Sequence, residues 1–201
     1  MIIRKIFLSF ILLVLFGGVK AQQNAFDLSK KNWDDLVILL SGEKWKAAEK
    51  ACLKYLKKFP DDNDSLTSPA ILRYMYYRCV AAQLGEKTYS KGVAINKVIP
   101  LIGKTIITPN FSFNAQRMFN GLKLTEDEKG FYSCASNNSM TIIQAFETYY
   151  FSDTSIVENT SDLKDKTFRI FGTIKSIEVQ GFTMPMFEVV FDQAYIWAIK
   201  D

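Results

Sequence analysis

The sequence predicts an α+β protein, in which antiparallel helical pairs come first and a small, mostly antiparallel β-sheet or barrel follows. Two observations carry this expectation. Between residues 33 and 101 apolar side chains recur at helical steps of three and four, whereas from residue 102 onward aromatic and β-branched runs alternate as strands do and are broken by polar turns. A third observation concerns the start of the chain. Arg4 and Lys5 precede an apolar run over 6–16, and Gly17-Gly18-Val19-Lys20-Ala21 follows as a small-residue exit, the form of a secretory signal peptide.

The expected organisation is therefore a signal peptide over 1–21, a helical unit over 22–101 and a β-rich unit over 102–201. The leader's apolar core falls short of the roughly 20 residues that a membrane-spanning helix needs, so cleavage after Ala21 is expected, with Val19 and Ala21 at the positions a signal peptidase reads. The mature chain would be exported to the periplasm or secreted, with no transmembrane segment left after cleavage. No cysteine stands at or just after that point to accept a lipid. Arg4, Lys5 and Lys20 leave with the leader, so the 25 basic residues fall to 22 against 21 acidic ones. This near-neutral balance argues against an electrostatic nucleic-acid binder.

Four helices are expected. The first covers 33–40. In the second, Trp45, Ala48, Cys52, Tyr55 and Phe59 form an apolar stripe with Lys44, Lys46, Lys50, Lys54 and Lys57 largely off it, and Phe59-Pro60-Asp61-Asp62 stops it. Ser68-Pro69, a capping residue followed by proline at the first helical position, opens the third, which runs to Leu84 with Gly85 as terminator. Leu72, Met75, Cys79 and Ala82 are its most continuous apolar stripe. A fourth helix covers 89–101.

Gly42, Trp45, Ala48, Cys52, Tyr55 and Pro60, followed by another helix and then Gly85 and Tyr89, resemble the glycine, aromatic, alanine, bulky, small, proline rhythm of tetratricopeptide repeats. The pattern is degenerate: Gly42 is one residue too far from Trp45, Tyr55 holds a usually small position, and Gly92 replaces the packing alanine of the second unit. Small residues at such spacing let paired helices approach, and the aromatic fills the groove between neighbours. The resemblance implies stacked helix pairs whose concave surface, lined by the first helix of each pair, recognises a protein or peptide. The third helix would lie on that surface.

In the β-rich unit, 104–108 is expected to be a short strand closed by Pro109. Thr125-Glu126-Asp127-Glu128 has capping-box form and would open a helical turn that Gly130 ends. The spacing of Ile142, Ile143, Phe146, Tyr149 and Tyr150 also fits a helical face. Their residue types, and the turn Ser136-Asn137-Asn138-Ser139 before them, favour a strand over 141–151. A strand over 167–179 switches parity near Lys175-Ser176, which requires a bulge. Residues 180–185 form a hairpin loop, and the last strand sets Phe187, Val189, Phe191, Tyr195, Trp197 and Ile199 on one face, with a candidate split at Asp192-Gln193. Residues 172–177 faintly resemble the first strand of small OB-type barrels.

Histidine is absent, which excludes Ser-His-Asp and Cys-His catalysis and removes the commonest catalytic-metal ligand. No cofactor, metal or catalytic residue is assigned. Asp61-Asp62-Asn63-Asp64-Ser65 looks like a calcium loop, but Leu66 stands where a glycine turn is needed and Leu72 where a bidentate glutamate is needed. Asp153, Glu158, Glu178, Glu188 and Asp192 recur with no spacing that selects an acid/base pair. Of the three cysteines, Cys52 and Cys79 fall on adjacent helices and form the candidate disulfide, while Cys134 points into a β core. Sequons occur at Asn110, Asn137 and Asn159.

The candidate binding residues are Arg73, Tyr74, Tyr77 and Arg78. If Leu72, Met75 and Cys79 face the core, Arg73 and Tyr77 stand one turn apart on an outer face, with Tyr74 and Arg78 beside them. Arginine and tyrosine supply large contact area and directional polar groups at interfaces. The other placement packs these aromatics beneath the β half. The expected function is an exported, non-enzymatic protein-binding or scaffold protein of the cell envelope, with an unknown protein or peptide partner. The alternative is a carboxylate-dependent enzyme, or a small-ligand or glycan binder, using a cleft in the β-rich half.

Overall fold

The computed structural model describes residues 28–59, 67–113, 119, 121–163 and 166–198. The expected signal peptide and the acidic loop at 61–65 lie outside them. Helix α1 (Lys30–Ser41) starts where the Ser29 side chain accepts from the Asn32 N–H, and α2 (Trp45–Leu56) follows after a tight turn. Helix α3 spans Thr67–Gly85, and α4 (Lys91–Val98), capped by Ser90, runs into a 3-10 turn at Ile99–Leu101. The strands are β1 (Thr105–Ile107), β2 (Phe111–Phe113), β3 (Gly121–Leu124), β4 (Gly130–Ser136), β5 (Ile143–Phe151), β6 (Thr167–Gln180) and β7 (Met186–Ala198). A short helix α5 (Ser155–Glu158) and a 3-10 turn lie between β5 and β6.

The pairings run from β6 through β2, β3, β4, β5 and β7 and back to β6, so the sheet closes on itself, with β1 added to β6. Closure removes the exposed edges that an open sheet would present. The sheet is mixed, which corrects the expectation of a mostly antiparallel one: β2 runs parallel to β3, and β5 parallel to β7. The second case follows from order. Strand β7 sits between β5 and its hairpin partner β6, so the chain leaves β5, crosses over through α5 and enters β6 one position away.

The bulge expected near Lys175-Ser176 is present as a register shift between Ile174 and Ser176. Asp192-Gln193 does not split the last strand. Gln193 takes a left-handed backbone (φ 51°) within a continuous β7, and the register shifts around it. Thr125-Glu126-Asp127-Glu128 forms a hairpin turn and not a helical one. The Thr125 N–H donates to the Gly130 carbonyl, and the Thr125 hydroxyl accepts from the Gly130 N–H, because β3 and β4 on either side are already paired. Gly130 has no substitute there: a Cβ would collide with the Tyr149 carbonyl on β5.

Helix α3 is the centre of the molecule. It packs on α2, α4, β1, β5 and β7, so it is buried nearly all round. Small residues Cys79, Ala81 and Ala82 let its neighbours approach, and Gly85 ends it against β5, where a Cβ would lie 2.8 Å from Ile142 Cγ2. One buried cluster continues from Leu36, Cys52 and Tyr77 into the sheet, where Tyr149 stacks on Phe191 at 4.7 Å and Phe131 meets Phe151 edge-on at 5.2 Å.

Candidate functional site

The four candidate residues on α3 separate into two pairs. Arg73 is 5% exposed, and its Nη1 donates to the Thr105 carbonyl of β1 at 3.1 Å. Tyr77 is fully buried between Tyr74 and Phe187. Neither stands on an outer face, which corrects that expectation: the one partly exposed stripe of α3 runs through Ile71, Met75 and Arg78, and Arg73 and Tyr77 turn away from it toward β1 and β7. Met75, assigned to the core by its spacing, is instead half-buried beside a cleft.

Tyr74 and Arg78 do line that cleft. Its other walls are Leu40, Trp45, Ile71, Met75 and Pro109, from α1, α2, α3 and the segment after β1, and its volume is about 180 Å³. The walls are mainly apolar, and Arg78 supplies the charge.

Behind the cleft a polar chain leads into the sheet. Arg78 Nη1 donates to the Tyr74 hydroxyl at 3.2 Å, which donates to Glu147 at 3.1 Å. The Tyr149 hydroxyl donates to the same carboxylate at 2.8 Å, and Arg78 Nη2 donates to Gln144 Oε1 at 2.8 Å and to the Ser136 carbonyl at 3.5 Å. Glu147 is fully buried, and that burial pushes its carboxyl above the usual range against the pull of Arg78 and the surrounding hydroxyls. Burial and the nearby Glu147 push the Cys134 thiol up to about 11. Burial disfavours the charge on Arg78, but the phenols and carboxylate around it more than compensate, so it remains a guanidinium. Three buried polar atoms here have no partner: Arg78 Nε, Gln144 Nε2 and Ser133 Oγ.

A second polar cluster ties the helices together. Glu49 accepts from Gln83 Nε2 (2.6 Å), the Tyr89 hydroxyl (2.7 Å) and Lys97 Nζ (2.8 Å). Burial works to raise its pKa, but these bonds prevail and hold the carboxyl below its ordinary range.

Cys52 and Cys79 are brought together across the α2–α3 interface, where both are free, fully buried thiols. The hydrogen bond between them, with burial, raises the pKa of Cys79. Cys134 is buried in β4, apart from them. Among the carboxylates of the β half, Glu178 and Glu188 face each other across β6 and β7, both exposed, while Asp153 and Glu158 are exposed elsewhere. None of them lines the cleft. Asn137 is unsuited to carry a glycan, because its amide donates to Ser139 and Thr141 and accepts from two backbone N–H groups of the turn.

Glu147 and Gln144 did not emerge from the sequence reasoning, and Tyr149 emerged only as part of the 141–151 segment. The available signal was strand parity: Glu147 shares a face with Ala145 and Tyr149, so a lone carboxylate falls on the buried side of an aromatic strand. No group of histidine, cysteine or acidic residues among the described residues could hold a metal ion, and no described helix is long and apolar enough to cross a membrane. Compared with known proteins, the chain matches no family model, no curated protein and no solved structure.

Proposed function

We propose that this chain is an exported, non-enzymatic binding protein of the cell envelope that recognises a protein or peptide through the cleft between its helices. The observation that carries the reading is the cleft itself. An apolar cavity of about 150 Å³ takes up a benzene molecule, so a volume of about 180 Å³ suits one bulky apolar side chain, well below the 300–1,000 Å³ of drug-sized sites. Apolar sockets that receive a single anchor are typical of binding hot spots. In this reading the helices are degenerate tetratricopeptide-like pairs, with the closed sheet capping a stack too short to stand alone.

Panning a peptide-display library against the protein tests the idea. Enriched peptides should share an apolar anchor and lose at least about tenfold in affinity for Ile71→Lys, whose half-buried side chain forms one wall. No enrichment, or equal binding to Ile71→Lys with an unchanged melting temperature, would sink it.

A further inference from the structure

We infer that one end of the molecule docks on an anionic lipid surface, with the tip of the β6–β7 hairpin entering the bilayer interface and the lysines around it meeting the headgroups. This surface makes no use of the cleft and adds a second interaction to the binding reading.

The topology gathers turns at this end. Strands β5 and β7 run parallel with Ala145 beside Phe187, so the turns that lead into them, residues 137–142 and 181–185, leave the sheet side by side. Helix α3 ends against both, since a Cβ on Gly85 would lie 2.8 Å from Ile142 Cγ2 and 4.0 Å from the Pro185 carbonyl. The Asn138 side-chain amide donates to the Ser41 carbonyl at 3.0 Å and its backbone N–H donates to Glu43, which brings in the α1–α2 turn. The α3–α4 turn faces the hairpin tip across a shallow groove, where Lys91 Nζ lies 5.9 Å from the centre of the Phe182 ring. These four turns share one end of the fold.

They present apolar side chains to water. Phe182 is 95% exposed, Met184 63% and Met140 55%, on turns held by left-handed backbone at Gly181 (φ 74°) and Met140 (φ 57°). Single exposed apolar residues are ordinary, but three on adjacent turns make a patch of the kind that marks an interaction surface. Around them stand Lys44, Lys46, Lys87 and Lys91, all exposed, and none forms an ion pair with a described residue. The two acids nearest these lysines are already engaged: Glu43 accepts from the Asn138 N–H and Glu86 from the Trp45 indole. Glu178 and Glu188 stand behind the tip, on the paired stems of β6 and β7.

Shape and charge together select the occupant. A fluid bilayer interface admits projecting phenylalanine and methionine side chains, whereas a folded partner would need a separate socket for each, and unpaired lysines suit a surface of many negative headgroups. Long lysine stems let the ammonium groups stay at headgroup level while the tip goes deeper.

The test measures binding of the full chain to vesicles of phosphatidylcholine alone and of phosphatidylcholine with about 30% phosphatidylglycerol. Affinity for the anionic vesicles should exceed that for the neutral ones by at least about tenfold and should weaken as salt is raised. Phe182→Ser with Met184→Ser, and separately Lys87→Glu with Lys91→Glu, should each lower it by at least about tenfold. Lys54→Glu with Lys58→Glu makes the same charge change at the far end of α2 and should lower it far less. All the proteins compared carry the same N-terminus, so the apolar run over 6–16 contributes equally to each. Insertion is read from Phe182→Trp, whose added fluorescence should be quenched by brominated lipid; vesicle binding without that quenching overturns the inference. An equal loss from the two lysine pairs overturns it as unspecific charge attraction. No binding to either vesicle at about 1 mM lipid leaves these turns to a protein partner, and a dimer made monomeric by Phe182→Ser with Met184→Ser assigns them to a second copy; either result overturns the inference. Should a variant not fold, the comparison of the two vesicles and the quenching of Phe182→Trp decide.

Discussion

The Tyr74 hydroxyl accepts from Arg78 and donates to Glu147, so one phenol connects the cleft to the buried carboxylate of the sheet. Tyr74→Phe keeps the ring and removes that link, leaving a charged donor and a buried carboxylate each short of a partner. It should cost about 1–3 kcal/mol in urea unfolding, and a cost below about 0.5 kcal/mol would show that the link carries no stability. Glu49 makes a prediction in pH. Its folded carboxyl titrates below the ordinary value of 4.5, so its contribution is present above that value and is lost as pH falls through the lowered folded pKa. Glu49→Gln should therefore destabilise at neutral pH, and the penalty should shrink on acidification. A penalty that does not change with pH would mean that the bonds to Lys97, Tyr89 and Gln83 do not favour the charged form. Glu147 has the opposite sign. Its raised pKa gives a contribution present at low pH and lost as pH rises through the folded value, so the stability of the unaltered protein relative to Glu147→Gln should fall with rising pH.

At the scale of elements, α2 is held to α3 through one buried face that carries both an apolar stripe and a polar tie, the bond from Gln83 to Glu49. Trp45 is 9% exposed and donates to Glu86, whereas Lys46 is exposed. Trp45→Ala should cost about 3–5 kcal/mol and Lys46→Ala less than about 0.5 kcal/mol, read from denaturation midpoints, and equal shifts would contradict the packing of α2. The same interface holds Cys52 and Cys79 side by side. Protein recovered from an oxidising compartment should carry them as a disulfide, seen as the loss of a hydrogen pair in the intact mass, with Cys134 remaining free. Recovery of three free thiols would refute this. Helix α3 shows why its sequence pattern misled: with neighbours on several sides, almost every position is buried, so an apolar stripe no longer marks the inward face.

At the scale of the molecule, the proposed signal peptide yields a direct prediction. Protein from its native host should begin at Gln22, and retention of residues 1–21 in the intact mass would exclude export by cleavage. The order of elements was legible in the amino-acid pattern because it depends on local period. The stripe from Trp45 to Tyr55, the Ser68-Pro69 start, the parity switch at Lys175-Ser176 and the change from helix to strand after Leu101 all lie within a few residues of the features they announce. The parallel placement of β5 beside β7, the closure of the sheet through β6 and the divided fates of Arg73, Tyr77, Tyr74 and Arg78 were decided only in the tertiary structure. Each depends on partners far along the chain: Tyr74 and Glu147 are 73 positions apart, and Arg78 and Gln144 are 66. Periodicity reports which residues turn away from water. Which neighbour each of them meets is settled by long-range packing, where burial makes the choice of polar partner costly to get wrong.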